Sequence, residues 1–223
     1  LIRRMRDGDS WDTVVDISGV SELKGITSRD DTVRVGALVS HWEIENDPVL
    51  AERLPAFQAA WKTIGNVRIR VMGTVGGNLM AAEPGYDGRV VLAAAGGRMI
   101  FQAAGGEVSV PAGAGPDDIP SDALLTAIEV PAGGEGRVAF DRSLKPVVSV
   151  AVGLDEDIAN VAVGCAYRTP CFWSGPVTDI DGSFAATLPE PQDNPMGSAA
   201  YRRRMIGVLA QRLVGRLASG DGS

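Results

Sequence analysis

The sequence predicts an α+β chain in two parts, and three observations carry that reading. Short β-branched stretches recur along the chain. Helical patterns flank them. A small, flexible run, "AGGEG" at 132–136, separates an earlier set of strand patterns from a later one. In order, "DTVVDISGV" (12–20) and "DTVRVGALVS" (31–40) read as strands, with alternating β-branched residues and turn residues between them. Ser40 followed by Glu43 forms a capping-box pattern. Helical spacing then extends to residue 65, broken by Pro48 and Pro55 and stopped by Gly65. Trp42, Ile44, Leu50, Leu54, Phe57 and Trp61 are the apolar residues expected to face a core.

After a glycine-rich segment, "YDGRVVLAAAGG" (86–97) predicts a short helix with a glycine stop. "RMIFQAAGGEVSVPA" (98–112) predicts a hairpin turning at Gly105–Gly106, and "DALLTAIEVP" (122–131) another strand. Beyond the linker, "RVAFDRSL", "VVSVAVGL" and "IANVAVGCAY" predict three more strands. The stretch 172–197 is rich in turn formers and reads as loop. The last element, "SAAYRRRMIGVLAQRLVGRL" (198–217), fits an amphipathic helix capped by Ser198. Met205, Val208, Leu209 and Leu213 fall on one face of it, with Arg202, Arg203 and Arg212 largely off that face. Arginines at a helix start oppose the macrodipole. The cluster is therefore either a solvated face or a docking surface, compensated by an acidic partner or a local carboxylate.

Composition narrows the function. The chain has 223 residues, 45% hydrophobic and 22% charged, enough for one large domain or two small ones with real cores. Its formal net charge of −7 argues against nucleic acid, whose phosphates it would repel. No apolar run approaches the roughly 20 residues of a membrane helix, and residues 1–25 lack a signal-peptide core. The two cysteines, Cys165 and Cys171, are not spaced as a zinc or redox pair. They read as buried thiols or ordinary surface residues in a reducing cytoplasm. One histidine, His41, leaves little scope for nucleophile–base chemistry or for an iron–sulfur cluster held by this chain alone. It reads as an exposed helix-start residue.

The segment "RVMGTVGGNLMAAEPGYD" (70–87) stands apart. Without Cβ atoms, Gly76 and Gly77 are free to take positive φ and to turn backbone N–H groups toward an anion. Thr74 offers a hydroxyl and Asn78 an amide for phosphate oxygens or a ribityl chain, and Asp87 could accept from sugar hydroxyls. The segment fits neither GxGxxG nor the Walker pattern, so on spacing alone a hairpin or bulge is the simpler reading.

The longer stretch "IGNVRIRVMGTVGGNLMAAEPGYD" resembles the signature of the FAD-binding subunits and domains of molybdenum hydroxylases, the medium subunits of the carbon monoxide and xanthine dehydrogenase family. The likeness continues in "VVDISGVSELKGI", "VRVGALVSHWEIE", "LLTAIEVP" and "YRRRMIGVLAQRL", covering most of residues 1–150 and the last helix. It implies a two-part α+β FAD-binding domain over 1–132 with its N-terminal subdomain truncated, then a small α+β C-terminal domain over 137–223. Carried over residue by residue, Thr74, Val75, Gly76, Gly77 and Asn78 match a loop that holds the FAD pyrophosphate. Asp87 matches an acid near the flavin nucleotide, Ile64 an apolar flavin contact, and Leu124 a leucine lining the isoalloxazine. Asp141 stands where the family often has a lysine near the flavin, and "LKPVVSVAVGL" lacks the Asp-Ile-Ala pattern of many relatives.

The resemblance implies a cytoplasmic FAD-binding, electron-transferring subunit, an oxidoreductase component with no general acid or base of its own. A molybdenum-cofactor large subunit and a [2Fe-2S] small subunit are the implied partners, with NAD, a quinone or O2 as acceptor. The family's first FAD loop, of Ala-Gly-Gly-Thr type, falls just before the counterpart of Leu1. The given chain is therefore expected to bind FAD weakly and to leave apolar surface that favours self-association or a partner. The alternative is a flavin-free scaffold or repurposed binding protein on the same fold.

Overall fold

A computed structural model describes residues 2–81, 83–132, 137–143 and 147–219. After a short helix α1 (Ile2–Arg6), residues 7–25 run along the surface and include one 3-10 turn at Ser21–Leu23. Two antiparallel sheets follow. The first is ordered β1-β2-β5-β3-β4, from β1 (Ile26–Arg29), β2 (Thr32–Gly36), β3 (Arg98–Ala103), β4 (Gly106–Pro111) and β5 (Leu124–Pro131). The second is a simple meander of β6 (Arg137–Arg142), β7 (Ser149–Asp155), β8 (Ile158–Gly164) and β9 (Cys171–Pro176). No described strand closes either sheet into a barrel. All of the predicted linker except Ala132 lies outside the described residues.

The helices between β2 and β3 obey the prolines. α2 (His41–Asn46) starts at Ser40, whose side chain accepts from the Glu43 N–H while Glu43 returns the bond, completing the capping box. α3 (Pro48–Arg53) and α4 (Pro55–Lys62) each begin at a proline, where the missing N–H would have had no helical acceptor. Gly65 ends the run at φ +71°. Next come α5 (Val67–Met72), α6 (Val75–Met80) and α7 (Gly88–Ala94). Ile44, Leu50, Leu54, Phe57 and Trp61 are buried as expected, but Trp42 is 51% exposed on the outer side of α2.

The second sheet shows why the two parts join. On β7, Ser149, Ala151 and Gly153 point one way and Val150, Val152 and Leu154 the other; on β8, Ala162 and Gly164 oppose Val161 and Val163. The valine face receives α9 (Ala199–Ser219) and the small α8 (Phe184–Thr187). The small-residue face receives α7, the helix that follows the glycine segment. A Cβ on Gly153 would fall onto the Ala94 carbonyl, and one on Gly164 would come within 2.8 Å of Val90. Helix and sheet are thus in backbone contact, and Val138, Phe140, Ala151 and Ala162 of the second sheet belong to the core of the first.

Four expectations change. Residues 12–20 form no strand, because no neighbouring edge pairs with them and Val14 and Val15 stay exposed. The stretch 172–197 is not all loop, since the open edge of β8 pairs with β9 and a short helix follows. The hairpin turns at Ala104–Gly105, with Gly106 (φ +124°) already opposite Ala103. The buried stripe of α9 is Arg202, Ile206, Leu209, Leu213 and Leu217, while Val208 is exposed.

Arg202 is neither solvated nor a docking residue. It is 2% exposed, and its guanidinium donates to the carbonyls of Val147 (2.6 Å), Cys165 (2.7 Å) and Gly197 (3.2 Å) and to Asn194 Oδ1 (2.9 Å). The macrodipole conflict at the helix start is relieved locally. Asp193 accepts from the Ala199 N–H and Glu190 pairs with Arg203. Replacing Arg202 by Met should orphan these carbonyls and lower the unfolding free energy by roughly 3 kcal/mol, read from urea denaturation.

Candidate functional site

The glycine segment is laid against residues 37–41 and then turns into α6. The His41 N–H donates to the Gly73 carbonyl (3.0 Å), the Val75 N–H to Val39 (2.9 Å) and the Gly76 N–H to Ala37 (2.8 Å). Thr74 is the N-cap of α6, its Oγ1 accepting from the Gly77 N–H at 3.1 Å. Gly76 and Gly77 therefore adopt helical, not positive, φ. Their N–H groups are already engaged within the chain, which corrects the expectation that these amides converge on an anion. The two glycines serve different ends. A Cβ on Gly76 would press on Ala37 at 3.0–3.1 Å, whereas one on Gly77 would meet only Thr74 Oγ1 at 3.1 Å. Gly76 permits packing, and Gly77 keeps the exposed side of the turn bare.

Donors remain on that bare side. Thr74 Oγ1 accepts one bond and still carries its own O–H. Asn78 Oδ1 accepts from the Gly88 N–H at 3.1 Å, which caps α7 and leaves the Nδ2 group to donate. The two side chains are four residues apart and share one helical face, with Gly77 between them. Asn78 also lines a cleft of about 320 Å³, together with Met80, Tyr86, Arg89, Ala123 and Thr169. Ala123 precedes Leu124, which is 44% exposed at the start of β5. A larger cavity of about 440 Å³ opens elsewhere, between Phe57, Arg137 and Glu156, and none of the sequence-predicted site residues lines it.

The other expected site residues lie away from this cleft's surface. Ile64 (3% exposed) and Val75 (0%) are core residues. Asp87 is 2% exposed and turned inward. It accepts from Ser149 Oγ at 2.6 Å and faces Arg142 Nη1 at 3.6 Å, so it ties α7 to the second sheet rather than meeting sugar hydroxyls. Burial raises its pKa, opposed by the Ser149 bond and by Arg142. Asp141 lies on the α9 side of β6 and pairs with Arg212 at 3.2 Å, so its charge does not face the first sheet. The β6 residue that does is Arg142. Strand alternation from Phe140 could have revealed it.

Beneath the glycine segment, His41 is buried to 1% rather than exposed, because α4 and α5 close over it. Trp61 Nε1 donates to its Nδ1 at 2.9 Å, which places the imidazole proton on Nε2. Burial, with Arg70 nearby, lowers its pKa to about 4. Cys165 is buried and free, and burial pushes its thiol up to about 11, so it is no nucleophile at neutral pH. Among the described residues no cluster of His, Cys, Asp and Glu could hold a metal, and no helix is long and apolar enough to cross a membrane.

Comparison with known proteins adds the family. Residues 1–133 match the family described as "FAD binding domain in molybdopterin dehydrogenase". The chain is similar to the carbon monoxide dehydrogenase medium chain of Afipia carboxidovorans, 26% identical over 91% of this chain and 80% of that one. It is 32% identical to the caffeine dehydrogenase subunit beta of Pseudomonas sp. strain CBB1 over 83 residues, 37% of this chain and 28% of the relative's length. In fold it is similar to the crystal structure of quinoline 2-oxidoreductase from Pseudomonas putida 86, with a TM-score of 0.78 at 24% identity over 93% of this chain and 82% of that one.

The His41–Trp61 bond requires a neutral imidazole. A folded-state pKa below the unfolded value of about 6.5 contributes stability that is complete above pH 6.5 and lost as pH falls toward 4. The urea midpoint should therefore drop between pH 6.5 and pH 4, and His41→Gln should flatten that part of the profile.

Proposed function

Because the chain belongs to the FAD-binding domain family of molybdopterin dehydrogenases, we propose that it serves as the FAD-binding, electron-transferring subunit of a molybdenum-dependent dehydrogenase complex. The observation that carries this reading is Asn78, on the same helical face as Thr74 and beside exposed Gly77, lining a cleft also walled by Ala123, next to Leu124. FAD would supply the redox chemistry, accepting electrons that arrive from a partner's [2Fe-2S] clusters and passing them to NAD, a quinone or O2. The protein's part is to hold and orient. The Thr74 hydroxyl and the Asn78 amide would donate to phosphate or ribityl oxygens, and bare Gly77 would let that chain lie close. The apolar walls of the cleft, Met80 and Ile119 among them, would exclude water from the ring. FAD fits this chain through side-chain donors and a cleft, not through the amides of Val75, Gly76 and Gly77.

The same engaged amides favour a second reading, a flavin-free scaffold on this fold. Partners enter both readings. α5 buries none of its residues, and Val67, Ile69, Val71 and Met72 are all at least half exposed. A companion chain, the molybdenum-cofactor or the [2Fe-2S] subunit, would cover this apolar surface, or a second copy would do so in its absence. The free thiols Cys165 and Cys171 suit a reducing cytoplasm.

FAD titrated into the purified chain, followed by flavin fluorescence, tests the choice. Thr74→Ala removes one bond to a charged group, worth about 1.5–3 kcal/mol, and should weaken FAD at least about tenfold. Gly77→Val should abolish binding while circular dichroism stays native. Equal FAD affinity in all three proteins would overturn the assignment to Thr74 and Gly77, and no binding to the parent chain would favour the flavin-free scaffold.

A further inference from the structure

Arg89 is a cation built into the wall of the cleft. It is the second residue of α7, half-buried, and its guanidinium is fixed from two sides. Nε donates to the Ala112 carbonyl at 2.9 Å and Nη2 to the Ala114 carbonyl, and the group lies over the Phe172 ring, 5.4 Å from its centroid. These contacts satisfy hydrogen bonds and orient the plane, but they bring no negative charge. Arg34 pairs with Glu107 and Glu129, Arg70 with Glu45, and Arg203 with Glu190, whereas Arg53, Arg137 and Arg202, like Arg89, donate to backbone carbonyls; of these last four only Arg89 lines the cleft. Among the described residues no carboxylate pairs with Arg89, and burial alone lowers its pKa. Holding an uncompensated cation out of water costs free energy, and an anionic group in the cleft would offset that cost.

The remaining walls define that group. Leu79, Met80, Met99, Ile119 and Pro120 make the cleft mostly apolar, and Glu83 lines it as well, so an occupant whose edge meets Arg89 is a flat apolar body negative at that edge. A flavin that has taken up two electrons and one proton answers to this description, since its charge spreads over N1 and the C2 carbonyl. We propose that Arg89 faces that edge of the isoalloxazine and stabilises the reduced, anionic flavin over the oxidised one, which raises the reduction potential of FAD in this protein. The proposal rests on the FAD reading above. Arg89 would thus set how readily this chain takes electrons from its partner, a role assigned to no residue by the glycine segment.

The experiment uses the purified 223-residue chain, with oxidised FAD and with dithionite-reduced FAD under anaerobic conditions. Affinity for each form is measured, and the midpoint potential is taken by dye equilibration. An opposite charge a few ångströms away shifts such an equilibrium tenfold or more. R89Q should therefore weaken reduced FAD about tenfold more than oxidised FAD, lowering the potential by about 30 mV for a two-electron couple. R89K keeps the charge and should stay near the parent value. R89M, of similar length, gives the same reading if R89Q fails to fold. If the parent chain binds FAD but R89Q or R89M changes both affinities equally, Arg89 is only structural, and the FAD reading stands. If the parent chain binds neither form, the FAD reading fails and this proposal with it.

Discussion

Backbone contact between α7 and the second sheet is the constraint on which the rest of this protein depends. Gly153 and Gly164 remove the side chains that would hold the helix off, and Ser149, Ala151 and Ala162 keep the surrounding face shallow. A helix seated this close brings its N-terminus, Asp87 and Gly88, into the joint between the two sheets. Asp87 is then committed to Ser149 and Arg142, and Gly88 to Asn78. Through those two residues the second sheet fixes where α6 and the glycine segment lie.

That arrangement explains why so many glycines fall together. They are chiefly places where backbone meets backbone or side chain: Gly76 on Ala37, Gly88 on Asn78, Gly164 on Ser149. Gly77 is different, since its open side faces outward. The hydrogen-bonding groups this segment leaves unengaged are therefore the Thr74 O–H and the Asn78 amide rather than the Gly76 and Gly77 N–H groups. His41 belongs to the same support. Its ring is locked by Trp61 directly below the segment, and it contributes rigidity rather than proton transfer.

A subunit of this kind has no need for a catalytic acid or base. Under the proposed function, donors on α6 would hold the redox group, apolar walls in the cleft would keep water from it, and a fixed cation would set its potential. Val67, Ile69, Val71 and Met72 leave an exposed apolar surface on α5, which a companion chain would cover under the proposed function.

Much of this was legible in the amino-acid sequence. Alternation located seven of the nine described strands, β2 to β8, the prolines located α3 and α4, Ser40 and Glu43 announced their own capping box, and the Gly-Gly-Asn stretch pointed to the family. These features are local, and local sterics and hydrogen bonding decide them within a few residues. What the sequence could not settle is which way a side chain faces once distant elements meet. Asp87 was a surface acid until β7 offered Ser149, and Arg202 a solvated cation until three carbonyls surrounded it. Strand alternation turned Asp141 toward α9 and Arg142 toward Asp87, and β9 became a strand because β8 had an open edge. Val14 and Val15 had the strand pattern but found no edge. Tertiary structure decided these outcomes because a buried charge or an unpaired strand is tolerated only where partners far along the chain arrive to satisfy it.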